Sequence, residues 1–198
     1  MGYTWHFLTG PNASGKTTLL KTTALNVIFS QQFGCGFYDA ATILPYTHID
    51  SYLNIPDTSE RDSLFQAESR RCKEILEKIS DSSENDRHLC IFDELYSGTN
   101  CKDAVETATA FLKYLSSLEK VDFVLTTHYT KLCKRVKGEK NIKNYKMHVL
   151  QNKKEEDGGL VFTYEIHPGI SFIKGALHIL REMEYPQEIL DEISREKK

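Results

Sequence analysis

The residues best suited to chemistry stand near the start of the chain, in the glycine-rich stretch GPNASGKTT. It matches G-x-x-x-x-G-K-[ST], the phosphate-binding P-loop, in which backbone N–H groups and a helix N-terminus surround phosphate oxygens. Lys16 is therefore expected to contact the outer phosphates of a nucleoside triphosphate, and the Thr17 hydroxyl to bind Mg²⁺. The expected nucleotide-binding set is Gly10, Pro11, Asn12, Ala13, Ser14, Gly15, Lys16, Thr17 and Thr18.

A second reactive pair, Asp93 and Glu94, directly follows the apolar run 89–92. An apolar strand ending in Asp-Glu is the Walker B arrangement, in which the aspartate helps to hold Mg²⁺ and the glutamate polarises the attacking water as general base. Alone, such a pair is more often a solvated turn or a helix cap. The upstream P-loop favours the catalytic interpretation.

His128 follows the next apolar run, 121–126. Because ligands of open α/β sheets gather at the carboxyl ends of strands, we expect His128 at the same edge as Asp93 and Glu94, where it would sense the γ-phosphate. A structural histidine is the alternative interpretation.

Apolar runs and helical spacing predict the elements that position these residues. Strands are predicted at 3–8, 89–92 and 121–126, helices at 17–29, 62–79, 100–118 and, interrupted by Pro186, 173–198, and an antiparallel hairpin at 147–152 and 160–166. Residues 31–59 are expected to form small strands and turns, and 131–146 a solvated helix and loop. Strands alternating with helices predict one α/β domain over 1–198, with a mostly parallel central sheet flanked by helices and a late antiparallel hairpin.

Composition restricts the possible partners. The 198 residues carry a formal charge of −3, which gives no overall attraction to nucleic acid or to an anionic membrane. Five cysteines without a C-x-x-C pair predict reduced thiols, and no apolar run is long enough to span a bilayer, so we expect a soluble intracellular protein. A lysine-rich stretch is interpreted as a solvated face in preference to a DNA site. It comprises Lys131, Lys134, Arg135, Lys137, Lys140, Lys143 and Lys146.

Taken together, the motifs resemble the C-terminal ATPase domain of the MutS mismatch-repair family, a P-loop NTPase of the ABC class. The matching stretches are the P-loop, Asp93-Glu94 with Ser97-Gly98-Thr99-Asn100, Thr127-His128-Tyr129, SLFQAE at 63–68 and YEIHPGISFIKG at 164–175. They occur in the family's order over nearly the whole chain.

This resemblance implies an ATPase that uses Mg²⁺ and dimerises, as a homodimer or with a related domain, with ATP between the subunits. Asn12 would contribute to the γ-phosphate pocket, and Ser63 would complete the site of the neighbouring subunit, unless it is a plain helix N-cap. Ser97–Asn100 would be the D-loop that touches the opposite subunit, or else a polar turn capping the next helix. Tyr164 would stack on adenine or simply pack in the hairpin.

Two departures from the family pattern concern the subfamily. The family usually has Gly-Arg-Gly-Thr after the Walker B pair and Gly-Gly before the P-loop lysine, whereas this chain has Leu95-Tyr96-Ser97-Gly98-Thr99 and Ser14-Gly15. We further expect the family's DNA-reading, connector, lever and clamp domains to lie outside this chain, so that DNA is contacted only through them. The chain would then be the ATPase portion of a longer protein or a short relative.

Two other functions remain possible on this reasoning. One is a nucleotide-gated dimerisation module with negligible hydrolysis in isolation. The other is a transporter-type nucleotide-binding subunit, although the Leu-Ser-Gly-Gly-Gln signature of that class does not occur in the sequence.

Overall fold

The computed structural model describes residues 5–53, 55, 63–137, 139, 141–151, 159–173 and 175–195, without the side chains of Trp5, Gln151 and Ser194. The strands are β1 (Trp5–Thr9), β2 (His48–Tyr52), β3 (His88–Asp93), β4 (Val121–Thr127), β5 (Ile142–Gln151) and β6 (Leu160–Pro168). The helices are α1 (Lys16–Phe33), α2 (Leu64–Asp81), α3 (Cys101–Ser116), α4 (Thr130–Arg135), α5 (Ala176–Glu182) and α6 (Gln187–Arg195). None of these helices is long and apolar enough to cross a membrane.

Within the described residues, the strands form a six-stranded sheet in the order β2-β3-β4-β1-β5-β6. All neighbouring pairs are parallel except β5–β6, which is antiparallel. The predicted α/β class, with a mostly parallel sheet and a late hairpin, is therefore confirmed. The parallel register places the carboxyl ends of β1, β3 and β4 side by side, with Thr9 opposite Thr127 and Asp93 opposite Thr126.

Strand β3 shows why the sheet is buried on both faces. Cys90 and Phe92 belong to the large core cluster, to which α2 and α3 contribute most of the helical residues. Leu89 and Ile91 point the other way and pack with Leu20 of α1. This alternation is the period of two that a strand imposes on its side chains, and it explains the continuous apolar run in the sequence.

The prediction for residues 131–146 is partly wrong. Only Thr130–Arg135 is helical, and β5 begins at Ile142, so Lys143 and Lys146 lie in a strand between β1 and β6. The lysines obscured an alternating strand pattern that continues through Met147 and Val149, both buried. In the stretch 31–59, the described residues contain one strand, β2.

Some of the predicted positions fall on residues that the structure does not describe. They are strand residues 3, 4 and 152, helix residues 62, 174 and 196–198, turn residue 158, residues 138 and 140 of the lysine-rich segment, and residues 54 and 56–59.

A polar cluster lies at the opposite edge of the sheet, where β2 and β3 begin. His88 is fully buried, stacks on His48 with ring centroids 4.6 Å apart, and lies 3.9 Å from the Asp50 carboxylate. Asp50 also accepts a 2.8 Å hydrogen bond from Lys78, and Ser82 contacts His88 Nε2 at 2.9 Å. Burial lowers the pKa of His88, with His48 adding to the shift and Asp50 opposing it.

This lowered pKa predicts acid sensitivity of the fold. As the pH falls below about 6.5, the unfolded chain binds a proton at His88 that the folded chain resists, so folding loses at most about 1.4 kcal/mol per pH unit from this group. In His88→Gln, the free energy of unfolding should therefore decline less between pH 7 and pH 5, as measured by urea denaturation. His167→Gln, a half-exposed site elsewhere, serves as the control, and an unchanged slope in His88→Gln would contradict the assignment.

Candidate active site

The loop between β1 and α1 is compact. Gly15 is the N-cap of α1 and has φ +92°, and Ala13 also has a left-handed backbone with φ +63°. The Ser14 hydroxyl donates to the Pro11 carbonyl at 2.7 Å, and a Cβ at Gly10 would lie 2.7 Å from that same hydroxyl oxygen. A side chain at Gly10 would displace the Ser14 hydroxyl, and glycine is the residue best suited to Gly15, where the left-handed turn starts α1.

Lys16 is held under this loop. Its side chain is only 6% exposed, and its ammonium donates to the Pro11 carbonyl at 3.2 Å. The same ammonium lies 3.7 Å from Glu94 Oε1. A nearly buried ammonium at the N-terminus of a helix is a strong local source of positive potential for an anion.

Asp93 links the P-loop helix to the sheet. The Thr17 hydroxyl donates to Asp93 Oδ2 at 2.9 Å, across a sequence separation of 76 residues. The hydroxyl of the buried Thr126, on β4, donates to Asp93 Oδ1. Thr17 and Asp93 thus place two hard oxygen donors together, which is the donor type that Mg²⁺ prefers.

Glu94 lies between the Lys16 ammonium and the His128 ring. Its backbone is left-handed with φ +52°, an uncommon conformation for a residue other than glycine that costs about 1–3 kcal/mol. Its carboxylate lies 3.7 Å from Lys16 Nζ on one side and 3.5 Å from His128 Nδ1 on the other. The contact with the His128 ring, and then the Lys16 charge, lower the pKa of Glu94 despite its partial burial.

A cavity of about 640 Å³ opens over these groups. Tyr164 of β6 lines one side of it. The Tyr164 ring lies close to the P-loop, since a Cβ built on Gly15 would be 3.1 Å from it. Tyr164 is 65% exposed and has φ +59°, so an irregular backbone presents an aromatic face beside the P-loop. The lining consists of Asn12, Ala13, Gly15, Lys16, Thr17, Thr18, Tyr52, Ile55, Leu64, Glu68, Asp93, Glu94, Ser97 and Tyr164.

Ser63 is the N-cap of α2. Its hydroxyl accepts from the Gln66 backbone N–H at 3.3 Å, and its own N–H donates to the Gln66 side chain at 2.8 Å, which forms a capping box. The neighbouring Leu64 lines the cavity, whereas Ser63 itself is exposed. Asn100 likewise caps α3 through the backbone N–H groups of Lys102 and Asp103. The capping interpretations of both residues are thus observed, and they leave Ser63 accessible to a second molecule.

Residues 6–198 match the family model MutS domain V. The chain belongs to the MutS family. It is 31% identical over 186 residues to the DNA mismatch repair protein MutS of Bacteroides fragilis and 33% identical over 190 residues to that of Caldicellulosiruptor bescii. Each alignment covers 92% of this chain but only 20% of the relative, so the chain spans about a fifth of the length of these MutS proteins.

Sequence reasoning missed the function of one residue in this MutS domain, Glu68. Its carboxylate is buried, with the residue 1% exposed, and accepts hydrogen bonds from the Ser97 N–H at 2.9 Å, the Ser97 hydroxyl at 2.8 Å and the Gly98 N–H at 3.1 Å. The available signal was its spacing, because Glu68 lies on the same helical stripe as the buried Cys72, Ile75 and Ile79. A carboxylate on the apolar face of a helix predicts a buried polar partner.

Removing the charge of Glu68 should destabilise the domain. In Glu68→Gln, an amide N–H group replaces one acceptor oxygen and faces the donors of the loop, so we expect a loss of about 1–3 kcal/mol in the free energy of unfolding. Urea denaturation measures the loss, with Glu74→Gln on the solvent side of α2 as matched control. Equal stability of the two variants would show that the buried hydrogen bonds contribute little.

Proposed function

We propose that this chain binds and hydrolyses ATP with Mg²⁺, as the nucleotide-driven domain of a MutS-type DNA mismatch repair protein. The observation that supports it most is the convergence of Lys16, Thr17, Asp93 and Glu94 on one cavity, from two segments far apart in the chain. The names of the relatives provide the biological setting. DNA would be bound by the parts of such proteins that lie outside the fifth of their length that this chain matches.

Each residue has a distinct task in this proposal. The loop amides and Lys16 bind the phosphates, with Asn12 at the γ-phosphate. Thr17 and Asp93 would hold Mg²⁺, which when bound neutralises phosphate charge. Tyr164 offers its exposed ring for stacking on the base. The remaining task, activation of water, falls to Glu94.

The environment of Glu94 couples its basicity to the nucleotide. With Lys16 and His128 both close by, the carboxylate is stabilised as an anion and is a weak base. A γ-phosphate competes with Glu94 for the Lys16 ammonium, which raises the basicity of the carboxylate when substrate is present. His128, at the end of β4, would sense the same phosphate through its contact with Glu94.

A second copy of the domain would complete the site. Ser63 stands exposed at the start of α2, where its hydroxyl and the helix amides form an anion donor that a γ-phosphate bound in the other subunit can reach. ATP binding would close such a dimer and hydrolysis would reopen it, which makes the output of the domain a conformational change.

A nucleotide-gated dimerisation module is the second candidate function. The contacts of the Glu94 carboxylate with His128 and Lys16 favour it, because they lower the pKa of Glu94, and a weakly basic carboxylate predicts slow hydrolysis until a partner closes the site.

Replacing the proposed base tests the catalytic assignment. Glu94→Gln should bind ATP as tightly as the wild type, because the phosphate-binding groups are untouched, while turnover falls by about 10²–10⁴-fold. Fluorescent-nucleotide titration and phosphate release measure the two quantities. Lys16→Ala, which should lose ATP binding itself, is the matched comparison, and unchanged turnover in Glu94→Gln would exclude Glu94 as the base.

The dependence of hydrolysis on protein concentration tests the composite site. Phosphate release should rise more steeply than linearly with wild-type concentration. Ser63→Asn keeps an N-cap, whereas Ser63→Ala loses it at a cost of about 1 kcal/mol. Loss of the steep rise in both variants supports a role across the dimer, and loss in Ser63→Ala alone indicates a helix cap only. A strictly linear rise in the wild type would point to hydrolysis by single subunits.

A further inference from the structure

Three potential metal ligands meet on the β5–β6 hairpin, away from the P-loop residues. Glu165 Oε2 lies 3.7 Å from His148 Nδ1 and 3.2 Å from His167 Nε2. The three ligand atoms all lie within 4.8 Å of one another, and this is the one such group of His, Cys, Asp or Glu found among the residues with described positions.

The strand pairing explains why these side chains meet. Met147 lies opposite Ile166 and Lys146 opposite His167, and His148 Nδ1 reaches to within 3.7 Å of Glu165 Oε2 across the two strands. The register shifts immediately afterwards, because Val149 pairs with Phe162. His148, Glu165 and His167 therefore share one face of the hairpin, next to a bulge in β6.

The Thr163 hydroxyl holds His148 in place. Thr163 Oγ1 donates to the His148 carbonyl at 2.9 Å and lies 3.3 Å from His148 Nδ1. The Glu165 backbone N–H donates to Thr163 Oγ1 at 3.3 Å. Thr163 thus holds the backbone of His148 and Glu165 together across the two strands. These contacts fix the backbone positions of two of the potential ligands, and the Thr163 hydroxyl must give up its contact with His148 Nδ1 when that nitrogen binds a metal.

We propose that His148, Glu165 and His167 bind one transition metal ion of the Zn²⁺ type, with a further position open to water. Two imidazoles and a carboxylate are a ligand set that zinc uses, and zinc bond lengths of about 2.0–2.2 Å place neighbouring ligand atoms about 3.4 Å apart. The 3.2 and 3.7 Å separations are close to that spacing. Mg²⁺ prefers oxygen ligands and should not compete.

Two features set the strength of the site. The His148 and His167 rings stack at 4.2 Å with an interplanar angle of 18°, so at least one ring must turn to direct its nitrogen at the metal. Their side chains, 29% and 42% exposed, have room to turn. Lys146 is paired with His167 across the strands, and its positive charge disfavours cation binding. The negative charge of the Glu165 carboxylate favours it. These features predict moderate rather than tight affinity.

The site lies directly beside Tyr164. Because Thr163 and Glu165 flank Tyr164 in the bulge, a metal on Glu165 would fix the backbone that presents Tyr164 to Gly15. The metal would therefore restrict this wall of the phosphate-binding cavity. The metal site itself does not depend on the proposed ATPase function, since its ligands are separate from the residues assigned to ATP and Mg²⁺.

Isothermal titration of untagged protein with ZnCl₂, without nucleotide or Mg²⁺, tests the proposal. The titration uses a Cys35→Ser/Cys101→Ser background, so that the exposed thiols do not bind zinc. We expect saturable binding of one ion per chain, weakened about tenfold or more in both His148→Ala and His167→Ala. Co²⁺ bound to the background protein should give the visible absorption bands that are typical of a low coordination number. These bands should be lost in both variants.

The matched control is His48→Ala, because His48 is also half-exposed and pairs with a single carboxylate, Asp86, at 3.8 Å. It should bind zinc as the background protein does. Circular dichroism shows whether each variant is folded. Absence of saturable binding, or binding that folded His148→Ala and His167→Ala retain in full, would overturn the proposal.

Discussion

The site depends first on the two hydrogen bonds that converge on Asp93. Thr17 donates to one carboxylate oxygen from α1, and Thr126 donates to the other from β4. Since Asp93 itself ends β3, this one side chain fixes the start of the P-loop helix against two strands of the sheet. A metal ion held by Thr17 and Asp93 would find both oxygens already together, so little ordering would remain to be done on binding. Lys16, one residue before Thr17, is aligned toward Glu94 by the same constraint.

Glu68 connects this site to the surface proposed for a second subunit. Its carboxylate binds Ser97 and Gly98, while the helix that carries it, α2, begins at the exposed Ser63 cap. The loop that contains Gly98 packs closely against the start of α2, because a Cβ at Gly98 would lie 2.7 Å from the Phe65 backbone nitrogen. If a second subunit displaced α2, these contacts would carry the loop after Glu94 with it. Close-packed interiors have low compressibility, which is the physical basis for this expectation.

Sequence patterns predicted the parts of the fold and site that depend on local signals. The apolar run before Asp93 and the glycines around Lys16 each have a distinct local pattern, and both segments adopt the predicted structure. The start of β5 was missed because its lysines resemble a solvated segment, and only pairing with β1 shows it to be a strand. The helical spacing of Glu68 indicated a buried carboxylate but not its partners, because Ser97 and Gly98 lie about 30 residues further along the chain. The His148–Glu165–His167 group depends on how β5 pairs with β6, which the local sequence does not specify.

The loop after Glu94 shows how this chain departs from the family pattern at little structural cost. Leu95 and Tyr96 stand where that pattern begins with Gly-Arg, and both are buried. The Tyr96 ring packs against Phe65 and Phe111, and its backbone N–H donates to the Tyr52 hydroxyl. Tyr96 has φ +58°, a conformation for which glycine is the usual solution, so aromatic packing here offsets the backbone strain. The segment that follows the proposed general base is thus anchored in the hydrophobic core, and its position should respond to the packing of α2 and α3 as well as to the nucleotide.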